Sequence, residues 1–286
     1  MNSEQFTVED LPEGSILYVS INVAPDHPLR ESVHRYMDPP PDLDLGRLTR
    51  SLGPGSRRYF ASPVIDGTID DLPENLSEYR ALIIGCSGHS ANLDRGPLAP
   101  WQERVLKLIQ RAVHDYKLPY LGICGGGQLG LVALGGAVGP NPAGVGFKPE
   151  EPGSLLIRTT EVTLTEAGQN DPLFEGCATH FGMTAIHADY MSEAPPDKGF
   201  VPLAHSADVP NQALAYGDRV RLLGLHPEVT REFLDDTIGP VLDAGAFAVA
   251  PRSVLDETFA AICPTPSENA KIIRNFMVNF ATRKWA

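Results

Sequence analysis

Leu118-Pro-Tyr-Leu-Gly-Ile-Cys-Gly-Gly-Gly-Gln128 is the stretch on which the fold turns. Its first six residues read as a short buried strand. Cys124 to Gln128 is then a sharp glycine-rich turn into a small-residue helix ending near Leu134. Immediately upstream, Trp101, Val105, Leu108, Ile109, Ala112, Val113 and Tyr116 recur at the spacing of one helical face, with Pro100 suited to the first turn. Before that helix, Tyr79-Arg-Ala-Leu-Ile-Ile84 reads as a firm strand that stops at Gly85-Cys-Ser-Gly-His-Ser90. Strand, helix, strand, turn, helix is the alternation of a parallel sheet with helices on its faces. Ligands in such sheets bind beyond the carboxyl ends of the strands, where both glycine-rich loops fall.

Outward from this centre, Ser15–Asn22 predicts a buried first strand and Arg58–Ser62 a weaker one. The Pro- and charge-rich stretch Pro25–Gly55 predicts a loop with at most one short helix near Leu43–Leu52. Leu155–Leu164 and Ala213–Leu225 predict further strands, some antiparallel. Val229–Cys263 reads as mainly helical. Thr265-Pro-Ser-Glu268 is a capping box opening a helix with an apolar face of Ile272, Ile273, Phe276, Met277 and Phe280. There is no internal repeat or low-complexity linker. The expectation is one α/β domain over 1–286: a mostly parallel central sheet flanked by helices, a core of about 14–228, a helical insertion at 229–263 and a C-terminal helix at 265–284.

The 286 residues carry 23 Lys+Arg against 36 Asp+Glu, a net charge of −13, which argues against a general binder of nucleic acid or anionic membrane. At 42% hydrophobic and 21% charged, the composition excludes disordered, collagen-like and coiled-coil chains. The polar, acidic start lacks the pattern of a signal peptide, and no apolar run approaches the ~20 residues that span a bilayer. A cytoplasmic protein is expected. Cys86, Cys124, Cys177 and Cys263 are scattered without C-x-x-C spacing, so neither a zinc ribbon nor a disulfide framework is indicated, and no metal or cofactor is expected.

Cys124 stands where a buried strand turns into a helix. Flanking glycines tolerate the unusual backbone of such an elbow, and the helix amino end lowers the thiol pKa and offers N–H groups to an oxyanion. A buried structural thiol in a glycine-rich turn is the plain alternative. A thiolate nucleophile needs an oriented base, and Leu222-Leu-Gly-Leu-His-Pro-Glu228 supplies His226 and Glu228 two apart, on the same side of an extended segment that Pro227 favours. Alone, this pair also reads as a solvated loop. His187-Ala-Asp189 is a second His–carboxylate pair, better read as a structural or substrate-contacting loop than as the primary base.

Together these segments resemble class I (triad-type) glutamine amidotransferases. The family's Gly-x-Cys-x-Gly-x-Gln is matched at Gly122, Cys124, Gly126 and Gln128, and its His-Pro-Glu at His226, Pro227 and Glu228. Gly85-Cys-Ser-Gly88 is similar to its oxyanion loop, with Cys86 and Ser87 where glycine and proline are usual. The resemblance covers roughly residues 80 to 228 plus the C-terminal helix, and implies a flavodoxin-like core. It implies Cys124 as nucleophile, His226 as base and acid, Glu228 as its orienting carboxylate, and the N–H groups of Cys86 and Gly125 as oxyanion hole. Gly85, Gly88, Gln128, His187 and Asp189 are implied substrate contacts. Gly127, where the family commonly has His or Met, is expected to widen the pocket.

The expected activity is hydrolysis of the glutamine γ-amide through a γ-glutamyl thioester, with ammonia passed to a separate synthase subunit, since no P-loop or second catalytic block is recognisable. A stand-alone hydrolase of a γ-glutamyl-amine is the alternative, and a non-catalytic binding module a third reading.

Overall fold

The computed structural model describes residues 8–22, 40–50, 52–141, 158–229 and 266–285. The strands are β1 (Ile16–Ser20), β2 (Ile65–Asp66), β3 (Ala81–Ile84), β4 (Tyr120–Ile123), β5 (Ala137–Pro140), β6 (Arg158–Leu164), β7 (His180–Ala185), β8 (Asp189–Glu193), β9 (Phe200–His205), β10 (Ala213–Tyr216) and β11 (Val220–Leu223). The helices are α1 (Pro40–Arg50), α2 (Pro100–Gln110), α3 (Gly125–Ala133), α4 (Glu166–Gln169) and α5 (Pro266–Phe276). The predicted insertion 229–263 and its Cys263, and most of the Pro25–Gly55 loop before α1, lie outside the described residues.

Nine strands form one sheet in the order β2-β1-β3-β4-β11-β10-β9-β6-β7, and β5 pairs with β8 apart from it. The first five are parallel, and the remainder extend the sheet antiparallel from β11. The parallel strands are buried on both faces, which is why they read as unbroken apolar runs. Alternation then assigns the faces. Ile16, Tyr18, Ala81, Ile83, Leu121 and Ile123 pack in one cluster with Leu45 and Leu48 of α1 and with Ile272, Ile273 and Phe276 of α5. Leu17, Val19, Leu82, Ile84, Tyr120 and Leu222 pack in the other with Trp101, Val105, Leu108 and Ile109 of α2 and Leu129 and Leu131 of α3. The result is a helix–sheet–helix sandwich with β3, β4 and β11 adjacent at its centre.

Two local features depart from the sequence-based expectation. Arg58–Ser62 is no strand: Ser56–Tyr59 is a 3-10 turn followed by a single bridge from Phe60 to Ile16. The turn lets consecutive Tyr59 and Phe60 bury in the same cluster, which strand alternation opposes. The antiparallel strands β7 and β9, with the β5–β8 pair, had no clear period in the sequence.

α5 is held to the sheet from within. The five apolar residues predicted for the C-terminal helix are all buried, Ile272, Ile273 and Phe276 on α5 and Met277 and Phe280 on the π-helical turn Met277–Ala281 that continues it, and Phe280 lies under the Arg221 guanidinium at 4.8 Å. Arg221, on β11, pairs in turn with the buried Asp171 carboxylate through Nε–Oδ1 at 2.9 Å and a second guanidinium nitrogen to Oδ2 at 2.8 Å. A bidentate pair this buried is costly to break from one side, because the remaining charge has no water to turn to.

Candidate active site

Cys124 follows β4 directly and caps α3 with φ 50° and ψ −107°, one of two non-glycine residues at positive φ among the described residues. Such a backbone costs about 1–3 kcal/mol and persists only where its surroundings enforce it. The enforcement is visible. The Cys124 N–H donates to Leu223 O at 2.7 Å, Gly126 N–H to Gly85 O at 2.9 Å, and the buried Tyr120 hydroxyl to Gly126 O at 2.7 Å. A Cβ on Gly126 would meet Ile84 O at 2.2 Å, and one on Gly125 would meet Ser87 N at 2.5 Å. The glycines therefore serve close approach of the β3 loop to the elbow as well as the turn. A Cβ on Gly127 would meet Leu223 O at 2.5 Å. The space that glycine leaves there is filled by β11 backbone, so the expected widening of the pocket does not occur.

The second half of the site is the turn after β11. His226 N–H donates to Thr184 O at 2.9 Å, and Val229 N–H closes back on His226 O at 3.1 Å. The His-Pro-Glu segment is thus a tight turn with Pro227 at its second position, where its fixed φ fits, and not the extended segment expected. Thr184 Oγ1 and Asn269 Nδ2, from β7 and α5, both donate to Val229 O and pin the turn. Within it, His226 Nδ1 and Glu228 Oε1 stand 2.7 Å apart, with both side chains buried. Burial by itself would lower the His226 pKa. The Glu228 carboxylate and the Cys124 sulfur outweigh it and hold the imidazole well above its ordinary value. Cys124 and the His226–Glu228 pair, about a hundred residues apart in the chain, are therefore brought together.

The other predicted residues take different places. Ser87 is the loop residue pressed against Gly125, while the buried Cys86 thiol reaches toward Asn22 Oδ1 at 3.6 Å. Gly85 and Gly88 spend their N–H groups on Val19 O and Asn22 O. Gln128 Nε2 donates to Asp189 O at 2.8 Å. The Asp189 carboxylate accepts from Ser90 Oγ at 2.6 Å, Asn92 Nδ2 at 3.2 Å and Arg95 Nε at 3.0 Å. It straps the segment after β3 to β8. Ser90, Asn92 and Arg95 escaped the sequence reading. The only signal was a carboxylate in the apolar context Ile186-His-Ala-Asp189, which demands a partner without naming it.

His187 is buried beside His226, with Nδ1 2.9 Å from Asn141 Nδ2. Burial, and then the His226 charge, lower its pKa from 6.5 to about 4, so the ring stays neutral at neutral pH. From pH 6.5 down to 4 the unfolded chain takes up a proton that the folded chain refuses, and stability is lost as pH falls. Unfolding of wild type and His187→Gln should therefore differ most near pH 7, the gap narrowing by on the order of 3 kcal/mol by pH 4. A gap independent of pH would mean that His187 takes up its proton in the folded protein as readily as in the unfolded chain.

The description Glutamine amidotransferase class-I matches residues 79–238. The chain belongs to the class I glutamine amidotransferase family. It is 31% identical over 138 residues to the glutamine-hydrolysing GMP synthase of Wolinella succinogenes, covering 48% of this chain and 24% of that protein. It is 31% identical over 171 residues to the glutamine amidotransferase-like protein YfeJ of Salmonella typhimurium, covering 58% and 64%. The chain thus spans about a quarter of the GMP synthase and somewhat under two thirds of YfeJ. The crystal structure of a glutamine amidotransferase from Methylobacillus flagellatus superimposes with a TM-score of 0.63 at 16% identity over 95% of both chains, which bears on the fold alone. No described helix is long and apolar enough to cross a membrane.

Proposed function

We propose that this chain hydrolyses the γ-amide of glutamine and releases ammonia for a synthase carried on another subunit. The observation that carries the reading is the buried His226–Glu228 pair, 2.7 Å apart, beside a cysteine held at positive φ on a helix amino end. In the proposed course the Cys124 thiolate attacks the amide carbon, and the resulting oxyanion takes hydrogen bonds from the Gly125 N–H and an N–H of the loop at Cys86 and Ser87. His226, charged, returns a proton to the leaving ammonia, which leaves a γ-glutamyl thioester. The now neutral His226 takes a proton from water as it attacks the thioester, and glutamate departs, its new carboxyl proton passing to solvent, with the Cys124 thiolate and charged His226 restored. Glu228 fixes the imidazole tautomer and supports its charge throughout. The backbone preceding Tyr190 is the proposed seat of the substrate's α-amino and carboxyl groups, with Gln128 and Asp189 as the struts that hold it and His187 as a neutral wall.

Similarity to a glutamine-hydrolysing synthase supports glutamine as substrate and a synthase as ammonia acceptor. A γ-glutamyl-amine hydrolase loses its main support, since Gly127 opens no extra room. The test is intact-mass analysis after exposure to a glutamine analogue bearing an electrophilic ketone at the γ position. One adduct per chain is expected, mapped to Cys124 and prevented by excess glutamine. No adduct, or one on Cys86 or Cys177, would overturn the assignment.

A further inference from the structure

Cys86 is the buried thiol that the proposed chemistry leaves without work. Its Sγ, a ring nitrogen of His226 and a carboxylate oxygen of Glu228 all lie within 4.8 Å of one another. All three residues are buried. One polar atom in the cluster, Glu228 Oε2, is shut from solvent without a hydrogen-bond partner among the described residues, and His226 faces the Cys124 sulfur besides Glu228. One sulfur, one imidazole nitrogen and one carboxylate oxygen form a donor set suited to zinc, whose bonds to them are about 2.0–2.3 Å. Donors around a tetrahedral ion of that size stand about 3.5 Å apart, so the cluster needs to close by little more than about 1 Å. The scattered cysteines hid this set, because its members come from two loops that meet only when β3 and β11 flank β4.

We propose that Cys86, His226 and Glu228 form a binding site for a zinc ion, which on entering withdraws His226 and Glu228 from catalysis and switches the enzyme off reversibly. The Cys86 thiol gives up its proton to solvent as the ion binds. The inhibitory consequence rests on the proposed glutaminase reading; the binding itself does not. Because Cys86 belongs to the oxyanion loop, the test reads the metal and not turnover. Cobalt(II), titrated into the full chain as a probe for zinc, is expected to give the near-ultraviolet charge-transfer band of a cobalt–thiolate bond, displaced by one equivalent of zinc.

The Cys124→Ala protein should keep that band, and the Cys86→Ser protein should lose it and bind zinc at least about 100-fold more weakly. Absence of the band from wild type, its loss in Cys124→Ala, or its persistence in Cys86→Ser would each overturn the proposal. The first two outcomes are independent of whether the Cys86 variant folds. Zinc binding with no glutamine hydrolysis by the metal-free protein would preserve the site and refute the glutaminase. Hydrolysis without the cobalt band would do the reverse.

Discussion

Cys124→Ala is expected to lower glutamine hydrolysis by about 10⁴ to 10⁶-fold, because loss of a nucleophile removes the covalent route and leaves only binding and oxyanion stabilisation. Stability should move separately from activity. Alanine keeps the Cβ that makes φ 50° costly, so the strain at the elbow persists in that variant. Cys124→Gly removes both thiol and Cβ. It should be equally inactive yet about 1 kcal/mol more stable than Cys124→Ala, after allowing for glycine's larger unfolded-state entropy. Ammonia release and thermal unfolding of the two variants check both statements. Residual activity above about 1% of wild type would place the nucleophile elsewhere.

The residues that were legible in the sequence are those whose environment is written by their neighbours. Leu118–Ile123 is apolar throughout because β4 is buried on both faces, and the glycines after it mark an elbow that no other residue type would allow. His226 and Glu228 stood out because the turn that pairs them is local. What could not be read depends on contacts between segments far apart in the chain. The Asp189 carboxylate is held by Ser90, Asn92 and Arg95 across nearly a hundred residues, and none of these bears a local mark. The surroundings of three glycines were likewise not written locally. Gly85 and Gly88 secure their loop to the β1 end through their N–H groups. Gly127 resembled extra room, and the room is occupied by Leu223 O. In each case the backbone of a neighbouring strand, invisible to one-dimensional pattern, decides the role.

That close approach can be tested by a single methyl group. In an open helix, glycine to alanine is worth about 1 kcal/mol of added stability. Gly46 in α1 is such a site, since a Cβ there would meet nothing within 4 Å. Gly126, one residue into α3, carries the same propensity argument with the opposite sign. Its Cβ would sit 2.2 Å from Ile84 O and 2.9 Å from Gly85 O, and both are backbone atoms that cannot rotate away. Gly126→Ala must therefore push the β3 loop off the elbow, stretching the Gly126 N–H bond to Gly85 O and shifting Ser87 from its seat against Gly125. Overpacking of this kind costs about 1–3 kcal/mol, and a misplacement near 1 Å at reacting groups costs about 10²-fold in rate. Gly126→Ala is thus expected to lower both the unfolding midpoint and kcat/KM, the latter by about 10²-fold or more. Gly46→Ala should raise the midpoint and leave kcat/KM alone. If the two variants unfolded at the same temperature, the β3 loop would not be packed on α3 as closely as this fold requires, and the proposed oxyanion site would have to be sought in another pair of N–H groups.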